Sequence, residues 1–166
     1  MQFRALHDDR WVYCYFGVQD NNILTYVNES KKEEVLYGDR VEIFFAADDD
    51  LRSYYCLEID PNARVYDYVA SHYRRFDAAW QWPSGQLRIE TNKSENGYEV
   101  AMAIGKESLT NLELIQNQRI RAGIFRGKCM EINFNQDRMQ WISWVPPQSP
   151  FPDFHVPSAF GALILE

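Results

Sequence analysis

Apolar and polar residues alternate along most of this chain, most clearly between residues 39 and 68. Val41, Ile43 and Phe45 fall on one side of an extended segment and Glu42 on the other, the period of a half-buried strand. After the polar run Asp48-Asp49-Asp50, residues 54–60 send Leu57 and Ile59 one way and Cys56 and Glu58 the other. Asp60-Pro61-Asn62-Ala63 reads as a turn, since Pro61 presets φ at its second position and Asn62 tolerates the third. Residues 64–68 return as a third strand and complete an antiparallel meander.

The same pattern predicts a register. With Val41 opposite Ile59, Glu42 faces Glu58, Ile43 faces Leu57 and Phe45 faces Tyr55. The apolar residues then share one face and the two acids the other, and a one-residue slip would reverse either strand. Pairing Glu58 with Tyr66 adds Tyr66 and Tyr68 to the carboxylate face and puts Asp67 among the apolar residues, against the pattern. Carboxylates opposite each other on neighbouring strands lie about 5 Å apart and repel. An arginine, a bound cation, a raised pKa or a hydroxyl-rich ligand must offset this. Arg74, Arg75 and Arg126 are the candidate arginines. Acids beside tyrosines suit a sugar, because carboxylates accept from hydroxyls and flat rings cover pyranose C–H faces. An ordinary solvated sheet face fits the same residues.

Before the meander, residues 3–6 and 11–18 flank the polar turn His7-Asp8-Asp9-Arg10 and read as a hairpin. Val12, Cys14, Phe16 and Val18 line one face of the second strand; Trp11, Tyr13 and Tyr15 line the other, which predicts a strand covered on both sides. Residues 19–36 form a long polar connection with room for one helical turn near the charged patch 29–34. Residues 71–85 are irregular and aromatic. Further strands are expected at 87–91, 98–104, 119–126, 130–134, 140–144 and 160–165, with a short helix or turn at 105–112. About ten short strands with turn signals every 8–12 residues predict an all-β, two-sheet antiparallel sandwich. Residues 1–166 show no repeat or linker and read as a single domain.

Composition narrows the partners. Seventeen Lys and Arg against 24 Asp and Glu give a formal charge of −7, which argues against nucleic acid or an anionic membrane. No apolar run approaches the ~20 residues of a spanning helix, and no leader is recognisable. The three cysteines, Cys14, Cys56 and Cys129, share no metal-ligand spacing, and free buried thiols are expected.

Several separated segments resemble carbohydrate-binding module family 9. They are Asp39-Arg40-Val41-Glu42-Ile43-Phe44-Phe45, Glu58-Ile59-Asp60-Pro61-Asn62, residues 97–104, Ser143-Trp144, and residues 154–161 with Pro157-Ser158-Ala159-Phe160-Gly161. The resemblance spans nearly the whole chain. It implies a jelly-roll-like sandwich, an extracellular or periplasmic setting, and a sugar held between two aromatic residues with polar side chains on its hydroxyls. The family's glutamate falls on Glu42. One clamp residue corresponds to Tyr37, with Leu36 at the strictly aligned place, and the other to Phe154; a clamp of two tryptophans is not reproduced. Some members bind calcium.

These readings converge on carbohydrate binding without transformation. The expected site comprises Tyr37, Glu42, Glu58, Tyr66, Arg74, Trp144, Phe154 and His155. Three other chemistries compete. Glu42 and Glu58 have the spacing of a retaining glycosidase pair. His155, His72 or His7 with Met102, Met130 or Met139 would suit haem, as in similar sandwiches of electron-transfer type. Asp48-Asp49-Asp50 offers oxygen ligands for calcium but lacks a calcium loop's spacing and suits a hairpin tip.

Overall fold

The computed structural model describes residues 1–135 and 137–166. Its strands, in chain order, are β1 (Gln2–His7), β2 (Trp11–Gln19), β3 (Arg40–Ala46), β4 (Tyr54–Ile59), β5 (Val65–Ser71) and β6 (Arg75–Asp77). Then come β7 (Leu87–Ser94), β8 (Gly97–Gly105), β9 (Ile115–Gln116), β10 (Arg119–Cys129), β11 (Met139–Ser143) and β12 (Gly161–Ile164). One short helix, α1 (Lys106–Asn111), follows β8, and 3-10 turns occur at Lys32–Tyr37 and Pro157–Ala159. The fold is an antiparallel β-sandwich. A small sheet runs β1-β2-β8-β7, and a large one runs β11-β10-β3-β4-β5-β6, with β9 and β12 also on β10.

The meander has the register that its alternation predicts: Glu42 pairs with Glu58, Phe45 with Tyr55, and Glu58 with Tyr66. Val41, Ile43, Phe45, Leu57 and Ile59 therefore face the small sheet's Val12, Cys14, Phe16, Val100, Met102 and Ile104 in one core. Each such side chain contributes ~1.5–3 kcal/mol by leaving water. Gly97 fixes the β7–β8 turn, with φ of +152° and a position where a Cβ would come 1.9 Å from the Val18 carbonyl oxygen.

Asp67, the residue against the pattern, serves as a clasp. Its Oδ1 accepts from Lys32 Nζ (3.0 Å) and its Oδ2 from the Trp82 N–H (2.7 Å). A partly buried carboxylate is tolerated where its oxygens are bonded, and these two bonds tie the long connection and the aromatic segment to β5.

Three expectations are corrected. β2 is covered on one side only: Val12, Cys14, Phe16 and Val18 are buried, while Trp11, Tyr13 and Tyr15 are partly exposed. Residues 130–134 form no strand; β10 runs on to Cys129, and Met130 N–H donates to the Arg138 carbonyl (2.9 Å) to close the turn towards β11. The carboxylate face is also not an open solvated sheet. Residues 145–160 fold over it and build a second core of Phe44, Tyr54, Cys56, Tyr68, Phe125 and Phe154.

All three cysteines are free and buried. Asp48 caps its own turn, accepting from the Asp50 and Arg52 N–H groups, and Asp49 pairs with Arg121 at 2.8 Å. Among the described residues no group of three or more His, Cys, Asp or Glu is placed to hold a metal. No described helix is long and apolar enough to cross a membrane.

Candidate functional site

The second core does not seal the carboxylate face completely. A cleft of about 360 Å³ remains, with Arg40, Glu42 and Glu58 on its floor. Tyr66, Tyr68 and Phe76 wall one side and Trp141, Pro152 and Phe154 the other, with Leu36 also lining it.

Arg40 answers the repulsion that the register creates. It lies two residues before Glu42 on β3, so their side chains share a face. Its Nε donates to Glu42 Oε1 (2.9 Å) and to Glu58 Oε2 (2.6 Å), and its Nη1 donates to the Leu36 carbonyl (2.9 Å). The Tyr68 hydroxyl donates to Glu58 Oε1 at 3.0 Å. Arg40, Glu42 and Glu58 are 2 %, 2 % and 4 % exposed, so one guanidinium serves two acids away from bulk water. Burial first, and then the charge of Glu58, push the Glu42 carboxyl up to about 8, against the pull of Arg40. The arginines expected to neutralise the face lie elsewhere. Arg126 pairs with Asp20 and Asp39, Arg75 is exposed on β6, and Arg74 stands at the rim.

Trp141 reaches the floor because of a glycine. Gly127 pairs with both Arg40 on β3 and Trp141 on β11. A Cβ there would meet Trp141 at 3.1 Å and Arg40 Nη1 at 3.4 Å. Its absence lets the guanidinium sit 5.1 Å from the indole centroid, a cation–π arrangement.

Of the residues expected at the site, Glu42, Glu58, Tyr66, Arg74, Phe154 and His155 all line this cleft. Phe154 is 7 % exposed and lies flat on Phe125, with centroids 4.1 Å apart and planes 9° apart, which occupies one of its faces. Tyr37 and Trp144 do not line it. Tyr37 packs edge-on against Tyr26 and Phe134, 5.8 and 5.1 Å away, and Leu36 takes its place. Trp144 sits over Gly161 and is 45 % exposed. The lining residues missed were Arg40, Phe76, Trp141 and Pro152; Tyr68, placed on the carboxylate face by the register, and Leu36, at the strictly aligned clamp position, both line it. Parity alone marks Arg40, at i−2 from Glu42.

His155 is held on several sides. The Tyr54 hydroxyl lies 3.0 Å from Nδ1, and the ring stacks on Phe44 and meets Phe76 edge-on at 4.9 Å. Burial, with the nearby Arg74 charge, holds its pKa down to about 4. Asp153 accepts from the His155 N–H (3.0 Å) and from Arg74 Nη1 (3.1 Å), which ties the cleft's covering segment to the β5–β6 hairpin. A haem-type His–Met pair is not assembled here: no methionine lines the cleft, and Met102 is in the core. His7 bonds Lys106 Nζ and the Glu166 carbonyl instead.

The model of the family "Carbohydrate family 9 binding domain-like" matches residues 1–166. The chain belongs to this family. No curated protein sequence matches it. Among solved structures, it is similar to a candidate carbohydrate-binding protein from Bacteroides uniformis, with 21 % identity and a TM-score of 0.74 over 99 % of this chain and 77 % of that one. It is also similar to a family 9 module from Caldicellulosiruptor kristjanssonii solved with glucose, at 16 % identity and TM-score 0.62, covering 99 % of this chain and 75 % of that one. A family 9 module from the same organism, solved with cellotriose, gives 16 % identity and TM-score 0.63, with 99 % and 73 % covered. At these identities the likeness establishes a shared fold. The family 9 core is carried here by the alternating strands, whereas the cleft depends on residues 145–160, which show no such period.

Proposed function

We propose that this domain binds a neutral carbohydrate, without transforming it, in the cleft floored by Arg40, Glu42 and Glu58. The observation that carries this reading is the Arg40 guanidinium shared between two facing glutamates at the bottom of an open, aromatic-walled cleft. A proton kept on Glu42 leaves Arg40 facing one carboxylate rather than two, and gives the floor both donors and acceptors for hydroxyl groups. Tyr66 and Trp141 stack on the sugar's C–H faces, in place of the Tyr37 and Trp144 expected from the sequence. Arg74 and His155 bound the mouth. Family membership and the glucose and cellotriose complexes of the Caldicellulosiruptor modules support this reading, as they do an extracellular or periplasmic setting.

Glycoside cleavage is the weaker use of the same pair, because Arg40 bonds both carboxyl groups and a hydrolase needs its acid and nucleophile free to act. A bell-shaped pH–rate profile on an aryl glycoside, lost in Glu42→Gln, would reverse that choice. The direct test is calorimetry with glucose and cellotriose, with and without calcium. Trp141→Ala and Tyr66→Ala should each weaken binding at least tenfold, with the fold intact by circular dichroism. Affinities within twofold of the wild type in both variants remove this site.

A further inference from the structure

The outer face of the small sheet holds a second depression, remote from the cleft, that the first reading leaves unused. Three successive rows cross its four strands: Leu6–Tyr13–Ala103–Arg88, Arg4–Tyr15–Ala101–Glu90, and Gln2–Gly17–Glu99–Asn92. In the first two rows the β8 member is alanine. A trough therefore runs along β8, walled by Tyr13 and Tyr15 on β2 and by Arg88 and Glu90 on β7. Its volume is about 490 Å³. At the Tyr15 end it adjoins a polar depression of about 670 Å³ that includes Asn92, Asn96 and Gln19.

The tyrosine walls are fixed before any ligand arrives. The Tyr13 hydroxyl donates to Asp8 Oδ2 (2.8 Å) and the Tyr15 hydroxyl to Glu99 Oε1 (2.6 Å). Gly17 makes the second bond possible: a Cβ there would meet the Tyr15 ring at 3.2 Å, so the ring leans over the bare glycine to reach Glu99. Rings held at their hydroxyl end lose little freedom when something stacks on them. The rim carries Arg4, Arg88, Glu90 and Glu99, two of each sign, and then side-chain amides. It has no net charge to attract an ion or a nucleic acid.

We propose that this trough is a second carbohydrate-binding surface, which takes an extended, uncharged oligosaccharide along β8. A pyranose chain is a ribbon with apolar C–H faces and hydroxyl edges. The trough offers the complement, an alanine floor with tyrosine walls and a polar rim of balanced charge. It is open towards Glu99 and closed at its other end, where the Arg88 guanidinium crosses β8 to lie 4.4 Å from the Trp11 ring centroid. The cleft, walled around one floor triad, takes one sugar unit or a chain end; the trough takes the body of the chain. The proposal rests on the carbohydrate-binding reading of the domain, though not on the cleft residues.

Ala101 is exposed on a central strand, so Ala101→Tyr fills the trough without disturbing the core, and tyrosine suits a strand. The experiment titrates cellohexaose and glucose into wild type, Ala101→Tyr, Tyr15→Ala and Trp141→Ala, by calorimetry and by backbone amide NMR. Cellohexaose should shift the Tyr15, Ala101 and Ala103 amides in wild type and in Trp141→Ala. Ala101→Tyr and Tyr15→Ala should abolish those shifts and weaken cellohexaose at least tenfold, with glucose affinity unchanged within twofold. Cellohexaose binding that is untouched by both trough variants overturns the proposal, as does the absence of amide shifts on this face. Loss of glucose binding in Trp141→Ala alone, with the trough silent, leaves the cleft standing and removes the trough. Trough shifts with unchanged glucose binding in Trp141→Ala do the reverse.

Discussion

The two sheets present opposite solutions to the same design. Each alternates apolar and polar residues and turns its apolar side to the shared core. On the large sheet the other side is then roofed by residues 145–160, so Arg40, Glu42 and Glu58 end up 2–4 % exposed and must satisfy one another. On the small sheet nothing among the described residues covers the other side. Its charges stand in solvent, and its tyrosines bond to nearby acids at the rim. The difference teaches where electrostatics is decisive. An arginine under a roof is a structural requirement, because removing one member of a buried ion group strands the others. An arginine on an open sheet is screened and contributes little.

Exchanging one arginine from each face is the strongest test. Arg40→Leu leaves Glu42 and Glu58 facing each other in the dark, and should cost ~3–5 kcal/mol by urea unfolding. Arg88→Leu removes a cation–π contact with Trp11, 4.4 Å from the ring centroid, and should cost ~1 kcal/mol or less. Equal losses from the two variants would break the contrast. An Arg40→Leu protein as stable as the wild type would show that the pair can hold a proton well enough without its guanidinium.

Asp67 sharpens the contrast at an intermediate position, on the core side of the large sheet but at its margin. Asp67→Ala strands the Trp82 main-chain N–H and takes one of three acceptors from the Lys32 ammonium, which keeps the main-chain carbonyls at position 67 and of Trp80, at ~1–3 kcal/mol. The affected bonds hold residues 32–37 against β5, and Leu36 lines the cleft. Hydrogen exchange should therefore quicken at 32–37 while the small sheet stays protected. Uniform quickening throughout would mean that Asp67 supports the whole sandwich rather than one margin.

What the sequence revealed and what it hid divide along the same physical line. The meander's register was legible, because a period of two permits only one parity once a face is buried, and Pro61-Asn62 sets the turn. Arg40 was missed although that parity marks it, two positions from Glu42; the arginines named instead were Arg74, Arg75 and Arg126. The roof was not: residues 145–160 have no period, and their placement is decided by partners such as Phe125, Tyr54 and Phe44 that are distant in sequence. The choice between Trp141 and Trp144 was hidden for a related reason. They have opposite parity, and only the pairing of β11 with β10, Trp141 on Gly127, says which one faces the cleft. Tyr37 was drawn away by Phe134, a residue assigned by its alternation to a strand that does not form. Asp67 was visibly out of pattern, but its partners lie 35 and 15 residues away.

The smallest effect separates the roofed pair from everything exposed, by its pH dependence. Glu42 has a folded pKa raised to about 8 from the usual 4.5, so the folded state binds the extra proton between those values. Its contribution to stability is full below about 4.5 and is lost as pH rises towards 8. His155 acts the other way: its folded pKa is lowered to about 4 from 6.5, so its contribution is present above 6.5 and lost as pH falls towards 4. Between pH 6.5 and 8 only the glutamate of these two still titrates, with a slope of at most one proton, ~1.4 kcal/mol per pH unit. Wild-type stability should therefore fall over that window relative to Glu42→Gln, which cannot ionise and keeps the shape of the neutral acid. Between pH 6.5 and about 4.5 the wild type should stay nearly level, because the gain at Glu42 offsets the loss at His155, while Glu42→Gln declines; only below about 4.5 should the two curves run parallel. Parallel curves above pH 6.5 as well would mean that Glu42 stays ionised beneath the roof. Arg40 alone would then offset two charges, and the floor would offer a ligand acceptors from its acids but no acidic donor.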